Sequence, residues 1–247
     1  MVSGKSKAQF LSDVLNKTVA EVVTRCSKAE GVRNYFEVGV VAYSDDMARE
    51  GWGGGLRGSI LHPISKIAET PLRIEDRVKN LDDGVGGIVE QKVKFPVWFE
   101  PASVGGTPMK AGLTKAAEIL ADWCDAHRSC YPPTIFHITD GQSTDGDPED
   151  VANVIRQLAT DDGQVLLFSL HIDTGSGNEI SFPTSESILP DQYSRQLFRM
   201  SSLFPPSLIE AAQSHAFQPS SARIIREILS LFQNDGKSNH RRRLSYC

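Results

Sequence analysis

Three runs of strand length, Val38–Tyr43, Thr134–Thr139 and Gln164–Ile172, are predominantly apolar and are separated by helical patterns. A strand with no polar face has to be covered on both sides, which is the condition of strands inside a parallel sheet. Alternation of such strands with helices predicts an α/β fold, Rossmann-like and doubly wound, with a mostly parallel sheet and helices on both faces. A further segment differs. Val89, Val93, Phe95, Val97 and Phe99 alternate with Glu90, Lys92, Lys94 and Trp98, a period of two, and Asp83-Gly84 with Gly86-Gly87 places a hairpin turn before it. The glycine-rich stretch from Ser44 to Gly58 is expected as a loop.

The helical patterns carry their own punctuation. Phe10, Leu11, Val14, Leu15, Val19, Val22, Val23 and Cys26 form one apolar stripe, with Ser6 and Gln9 as a capping box and Gly31 as the stop. From Pro108 to Arg128, Ala111, Leu113, Ala117, Leu120, Ala121 and Cys124 form another, with Thr107 as N-cap and Pro108 at the first helical position. Asp147-Pro148 opens a helix toward Thr160. Helices are also expected over Asp191–Ser202, Ser207–His215 and around Ile224–Phe232. No repeat or linker interrupts the chain, so one domain is expected over 1–232, followed by a basic, disordered tail over 233–247.

Apolar residues make up 40% of the sequence, enough for a packed core. No run approaches the ~18–20 apolar residues of a membrane span, and the start lacks the apolar segment of a secretory signal. The net charge of −5 gives no general attraction for nucleic acid or anionic lipid. Cys26, Cys124, Cys130 and Cys247 are too unevenly placed for a disulfide framework. A cytoplasmic globular protein is the expectation.

In open α/β sheets ligands sit at the carboxyl ends of the strands. Asp140 ends a strand in Ile138-Thr-Asp-Gly-Gln-Ser-Thr-Asp145, and Thr107 lies in Gly105-Gly-Thr-Pro-Met109 before a helix. A carboxylate and a hydroxyl are hard oxygen donors suited to Mg²⁺ or Mn²⁺. Taken singly, Thr107 is equally an N-cap and Asp140-Gly141 equally a turn.

Gly-Gly-Thr-Pro, followed about thirty residues later by Ile-Thr-Asp-Gly, resembles the second and third motifs of the metal-ion-dependent adhesion site in von Willebrand factor type A (vWA) domains. Lys94–Glu100, His137–Pro148 and Leu197–Ser202 resemble a bacterial cytoplasmic branch of that family, and the likeness covers about residues 3 to 217. It implies Thr107 as the hydroxyl ligand and Asp140 as the carboxylate, binding directly or through water. The family's first motif, Asp-x-Ser-x-Ser at the end of a central first strand, has no counterpart here. Met1 resembles a methionine internal to that motif, and Ser3 and Ser6 are not substitutes. The resemblance therefore implies an incomplete site with weak Mg²⁺ or Mn²⁺ affinity, in a fold whose central first strand is missing.

Other motifs have blander explanations. Cys124-x-x-His127-x-x-Cys130 suggests zinc, but on one helix these positions spread too widely, and two reduced thiols at a helix end are expected. Asp145, Asp147, Glu149 and Asp150 lack the glycine and final glutamate of a calcium loop. Gly51-Trp-Gly-Gly-Gly55 lacks the Lys-Ser/Thr of a phosphate loop. His137 and His171 are expected in the core, and Arg241–Ser245 as a solvated tail with a sequence a basophilic kinase would accept.

The resemblance implies a non-enzymatic binding module whose cation accepts a carboxylate from a protein ligand, with no nucleic acid or membrane partner. Similar proteins belong to cytoplasmic systems with a Ser/Thr kinase and a metal-dependent phosphatase. The alternatives are a Mg²⁺-dependent hydrolase with His137 as its base, or a truncated copy without function.

Overall fold

The computed structural model describes residues 6–82, 88–102, 105–172, 180 and 183–203. The expected hairpin turn at 83–87, Ser3, the helices at 207–215 and 224–232 and the basic tail lie outside these residues. Helix α1 (Lys7–Cys26) is followed by β1 (Ser27–Lys28), β2 (Gly31–Val32), β3 (Glu37–Gly39), β4 (Val41–Ser44), β5 (Met47–Glu50), β6 (Leu61–Pro63) and α2 (Ile64–Glu69). Then come β7 (Arg73–Asp82), β8 (Ile88–Val97), α3 (Met109–Ala126), β9 (Thr134–Thr139), α4 (Glu149–Ile155), β10 (Ala159–Thr160), β11 (Gly163–Gln164), β12 (Leu166–His171) and α5 (Gln192–Met200). The protein is mixed α/β, and β9 and β12 form a parallel pair. Among the described residues no helix is long and apolar enough to cross a membrane.

The described chain divides into two units. One comprises Ala8–Val40 and Glu50–Ala102. Its β7 and β8, ten residues each, pair antiparallel from Arg73↔Val97 to Asp82↔Ile88. The expected strand to Phe99 stops at Val97 for a specific reason. Asn16 of α1 accepts the N–H groups of Trp98 (2.7 Å) and Phe99 (3.0 Å) on its Oδ1. Asn16 Nδ2 and Ser12 Oγ donate to the Phe99 carbonyl at 2.9 and 2.7 Å. These side chains replace a strand partner, so Ser12 and Asn16 are buried within a stripe that patterning predicted to be apolar. Gly31 does not stop α1. It lies in the β1–β2 hairpin at φ +117, a conformation that favours glycine.

The expected continuous strand over Val38–Tyr43 is broken at Val40. β3 pairs antiparallel with β6, whereas β4 pairs with β5. The stretch expected as a loop over 44–58 therefore contains strand β5 and a 3₁₀ turn at Gly54–Leu56. Val40 itself stays engaged, because its carbonyl accepts the Gly51 N–H at 2.8 Å.

The other unit comprises the described residues of Met1–Lys7, Val41–Arg49 and Ser103–Cys247. β9 and β12 pair in register from Thr134↔Leu166 to Thr139↔His171. Helices α3, α4 and α5 bury Met109, Leu113, Ile155, Leu197 and Met200 against Val165 and Leu167. Phe168 and Leu170, which alternate with Leu167, are buried as well, so β12 is covered on both faces as its composition requires. Its outer edge is bonded: Leu167 N–H donates to Ser202 Oγ at 2.9 Å and Ser169 N–H to Ser201 Oγ at 3.0 Å. Among the described residues, β9 pairs with β12 alone.

Candidate functional site

β9 delivers its last residues into a turn whose backbone is held by hydroxyls. Thr139 Oγ1 donates to the Gly141 carbonyl at 3.0 Å and accepts the Gly141 N–H at 3.3 Å. Tyr193 of α5 also donates to the Gly141 carbonyl. Burial, ahead of smaller electrostatic influences, pushes the Tyr193 and Tyr43 hydroxyls up to about 12, so both remain donors at neutral pH. Asp140, between the two anchored positions, is exposed.

The loop before α3 is tied to this turn from the other side. Thr107 N–H donates to Thr144 Oγ1 at 3.0 Å, and Thr144 N–H donates to the Thr107 carbonyl at 2.9 Å. A methyl group at Gly141 would lie 3.3 Å from Thr107 Oγ1, so the threonine hydroxyl sits beside the residue that follows Asp140. The two glycines before Thr107 make the approach possible. A Cβ at Gly105, whose φ is +65, would overlap the Asp45 carboxylate, and one at Gly106 would lie 3.0 Å from both Asp45 O and Thr144 Oγ1. Gly-Gly-Thr-Pro is thus a close-packing sequence as well as a loop.

Thr107 does not cap α3. The helix starts at Met109 with Pro108 in the cap position, and Asp145 serves the exposed donors instead. Its carboxylate accepts Lys110 N–H at 3.0 Å, Ala111 N–H at 2.8 Å and the Ser143 hydroxyl at 2.8 Å. Partial burial raises the Asp145 pKa, but the bonds from Ala111, Ser143 and Lys110 outweigh it and hold the carboxyl below its usual range. Asp145 is therefore a remote helix cap, and its distance in sequence hid that role. Asp147 plays a smaller part of the same kind, accepting Glu149 N–H at 3.0 Å.

A cation stands at Asp140. Lys7 Nζ lies 3.4 Å from the Asp140 carbonyl and 3.7 Å from its Oδ2. Sequence reasoning missed Lys7, because the two residues are far apart in the chain and neither sits in a motif with the other. Asp45 and Tyr43 were missed for the same reason.

The histidines and cysteines resolve otherwise. His137 is buried, and burial lowers its pKa to about 4. His171 meets the Tyr193 ring edge-on at 4.9 Å. His127 stacks on Trp123 at 4.4 Å, with Nδ1 2.9 Å from the Trp123 carbonyl. Cys124 is a free, buried thiol, whereas Cys130 is disulfide-bonded and not the reduced thiol expected. The triplet therefore does not offer zinc two thiolates.

A divalent ion at Thr107 and Asp140 finds donors of the right kind. Mg²⁺ retains several waters and often takes only one or two carboxylates from a protein. Thr107 Oγ1 lies beside Gly141, the residue that follows the exposed Asp140, and Asp145 is committed to its cap. Among the described residues no group of three or more histidines, cysteines or acids is placed to hold a metal. Comparison with models of known protein families, with curated proteins and with solved structures finds no match for this chain.

Proposed function

We propose that the chain is a protein-binding module of vWA-like, doubly wound type, in which Thr107 and Asp140 hold Mg²⁺ or Mn²⁺ weakly at the end of β9. When bound, the cation supplies a Lewis-acid position for a carboxylate of the partner protein. The chain's own residues supply rigidity: the Thr107–Thr144 bonds and the Tyr193 and Thr139 hydroxyls fix the two loops before any partner arrives. A cytoplasmic kinase–phosphatase signalling system is the proposed setting, on the resemblance in the motifs alone.

The observation that carries this reading is the reciprocal bonding of the Thr107 backbone with Thr144, which holds a loop whose threonine hydroxyl lies beside Gly141, the residue after Asp140, while Asp145 caps the helix. The hydrolase alternative is less well supported. Its base, His137, is buried, and its Nε2 lies 3.0 Å from the Tyr43 hydroxyl rather than facing Asp140. A Mn²⁺ titration followed by electron paramagnetic resonance tests the reading, with Asp140→Asn and Thr107→Val expected to weaken binding. Mg²⁺-dependent turnover of a generic phosphoester that disappears in Asp140→Ala would establish the hydrolase instead.

A further inference from the structure

We infer that Lys7 is a built-in competitor for the divalent cation, an ammonium that occupies the cation position on Asp140 and must leave before a metal binds. This rests on the proposed metal site. The geometry is that of a cation seat. One Nζ reaches two oxygens of the same residue, the main-chain carbonyl at 3.4 Å and carboxylate Oδ2 at 3.7 Å. A lysine ammonium is a compact point charge, so it serves hard oxygens without the planar fit an arginine needs. Asp145, the neighbouring carboxylate, is taken up by Lys110, Ala111 and Ser143 and does not draw Lys7 away.

The pair is also easily opened. Lys7 is 34% and Asp140 52% exposed at the side chain, so water screens the attraction, and a pair of this kind is worth little. A weak internal cation does not abolish metal binding. It sets a threshold below which the carboxylate stays neutralised from within, and a divalent ion with twice the charge displaces it above that threshold. Loss of the ammonium removes both the competition and the repulsion of the incoming ion.

Carbodiimide coupling activates a carboxylate as its acylisourea, which the deprotonated form of a neighbouring lysine converts to an amide with release of the urea, and so tests the pairing on the wild-type chain. Mass spectrometry is expected to find Lys7 joined to Asp140, and added Mn²⁺ is expected to suppress the product. Mn²⁺ titrations of wild type, Lys7→Gln and Lys115→Gln complete the test. Lys7→Gln is expected to tighten binding by about 1.5- to fivefold, the range of an exposed ion pair, with Lys115→Gln unchanged. Equal gains from both variants would reduce the effect to general charge, and unchanged binding in Lys7→Gln would remove the competition; either result overturns the inference and leaves the metal site standing. A Lys7–Asp140 product that Mn²⁺ never suppresses, with no variant binding metal, would overturn the metal site and the competition together.

Discussion

The Tyr43 hydroxyl lies 3.0 Å from Nε2 of His137 and 3.2 Å from the carbonyl of Ile138. A phenol has one proton, so donating it to Ile138 requires His137 to donate from Nε2, which leaves Nδ1 as a bare acceptor. That matches the buried Nδ1, which has no hydrogen-bond partner. Tyr43 thereby serves one of the backbone groups on the side of β9 away from β12. Tyr43→Phe leaves two buried polar groups unserved, and a loss of about 1–3 kcal/mol is expected in urea unfolding.

The same histidine sets a pH dependence. Its folded pKa, lowered to about 4 by burial, lies below the ordinary value of 6.5. Between those values the unfolded chain binds the proton and the folded chain does not. Stability is therefore full above pH 6.5, falls as the pH drops, and levels off below about 4, a change on the order of 3 kcal/mol. His137→Gln keeps a donor toward Tyr43 and removes the titration. Unfolding curves at pH 7 and pH 4.5 should differ less for this variant than for the wild type.

Asp145 anchors the first turn of α3 from another loop. Asp145→Ala removes the acceptor for Lys110 and Ala111 N–H groups, and caps of this kind are worth about 0.5–2 kcal/mol. Because its carboxyl is held below the ordinary range, its contribution is present above the unfolded carboxylate pKa and lost as the pH falls through the folded one. Thermal unfolding at neutral pH should show a loss that shrinks in acid.

Gly112 lies in α3, where alanine would ordinarily improve the helix by about 1 kcal/mol. Here an added Cβ would lie 2.5 Å from Cδ1 of Tyr43. Overpacking costs about 1–3 kcal/mol, which outweighs the gain. Gly112→Ala is expected to lower the melting temperature, and an equal or higher one would show that the ring has room to move.

The two edges of β9 should exchange differently. Ile172 N–H bonds the Thr139 carbonyl, so the odd positions Ile135, His137 and Thr139 face β12 and the amides of Phe136 and Ile138 face away. Native-state hydrogen exchange should release Phe136 and Ile138 before Ile135 and His137. Equal protection would place a partner strand on that edge.

Local pattern determined a good deal of this protein. Thr134–Thr139 forms a strand over the residues its composition marks, and Asp191 caps α5 by accepting Ser194 N–H at 2.7 Å, as an aspartate ahead of a helical pattern should. The rest belonged to tertiary structure. Val38–Tyr43 breaks at Val40 because β3 and β4 find different partners, and the hydrophobic pattern of a strand does not name its neighbour. Asn16 is buried because it completes the backbone of Trp98 and Phe99, and Asp145 caps a helix begun 36 residues earlier in the chain because the fold brings it there. Lys7 reaches Asp140 by the same route. Side-chain bonds of this length act over a few ångströms in space, and only the folded chain decides which residues come that close.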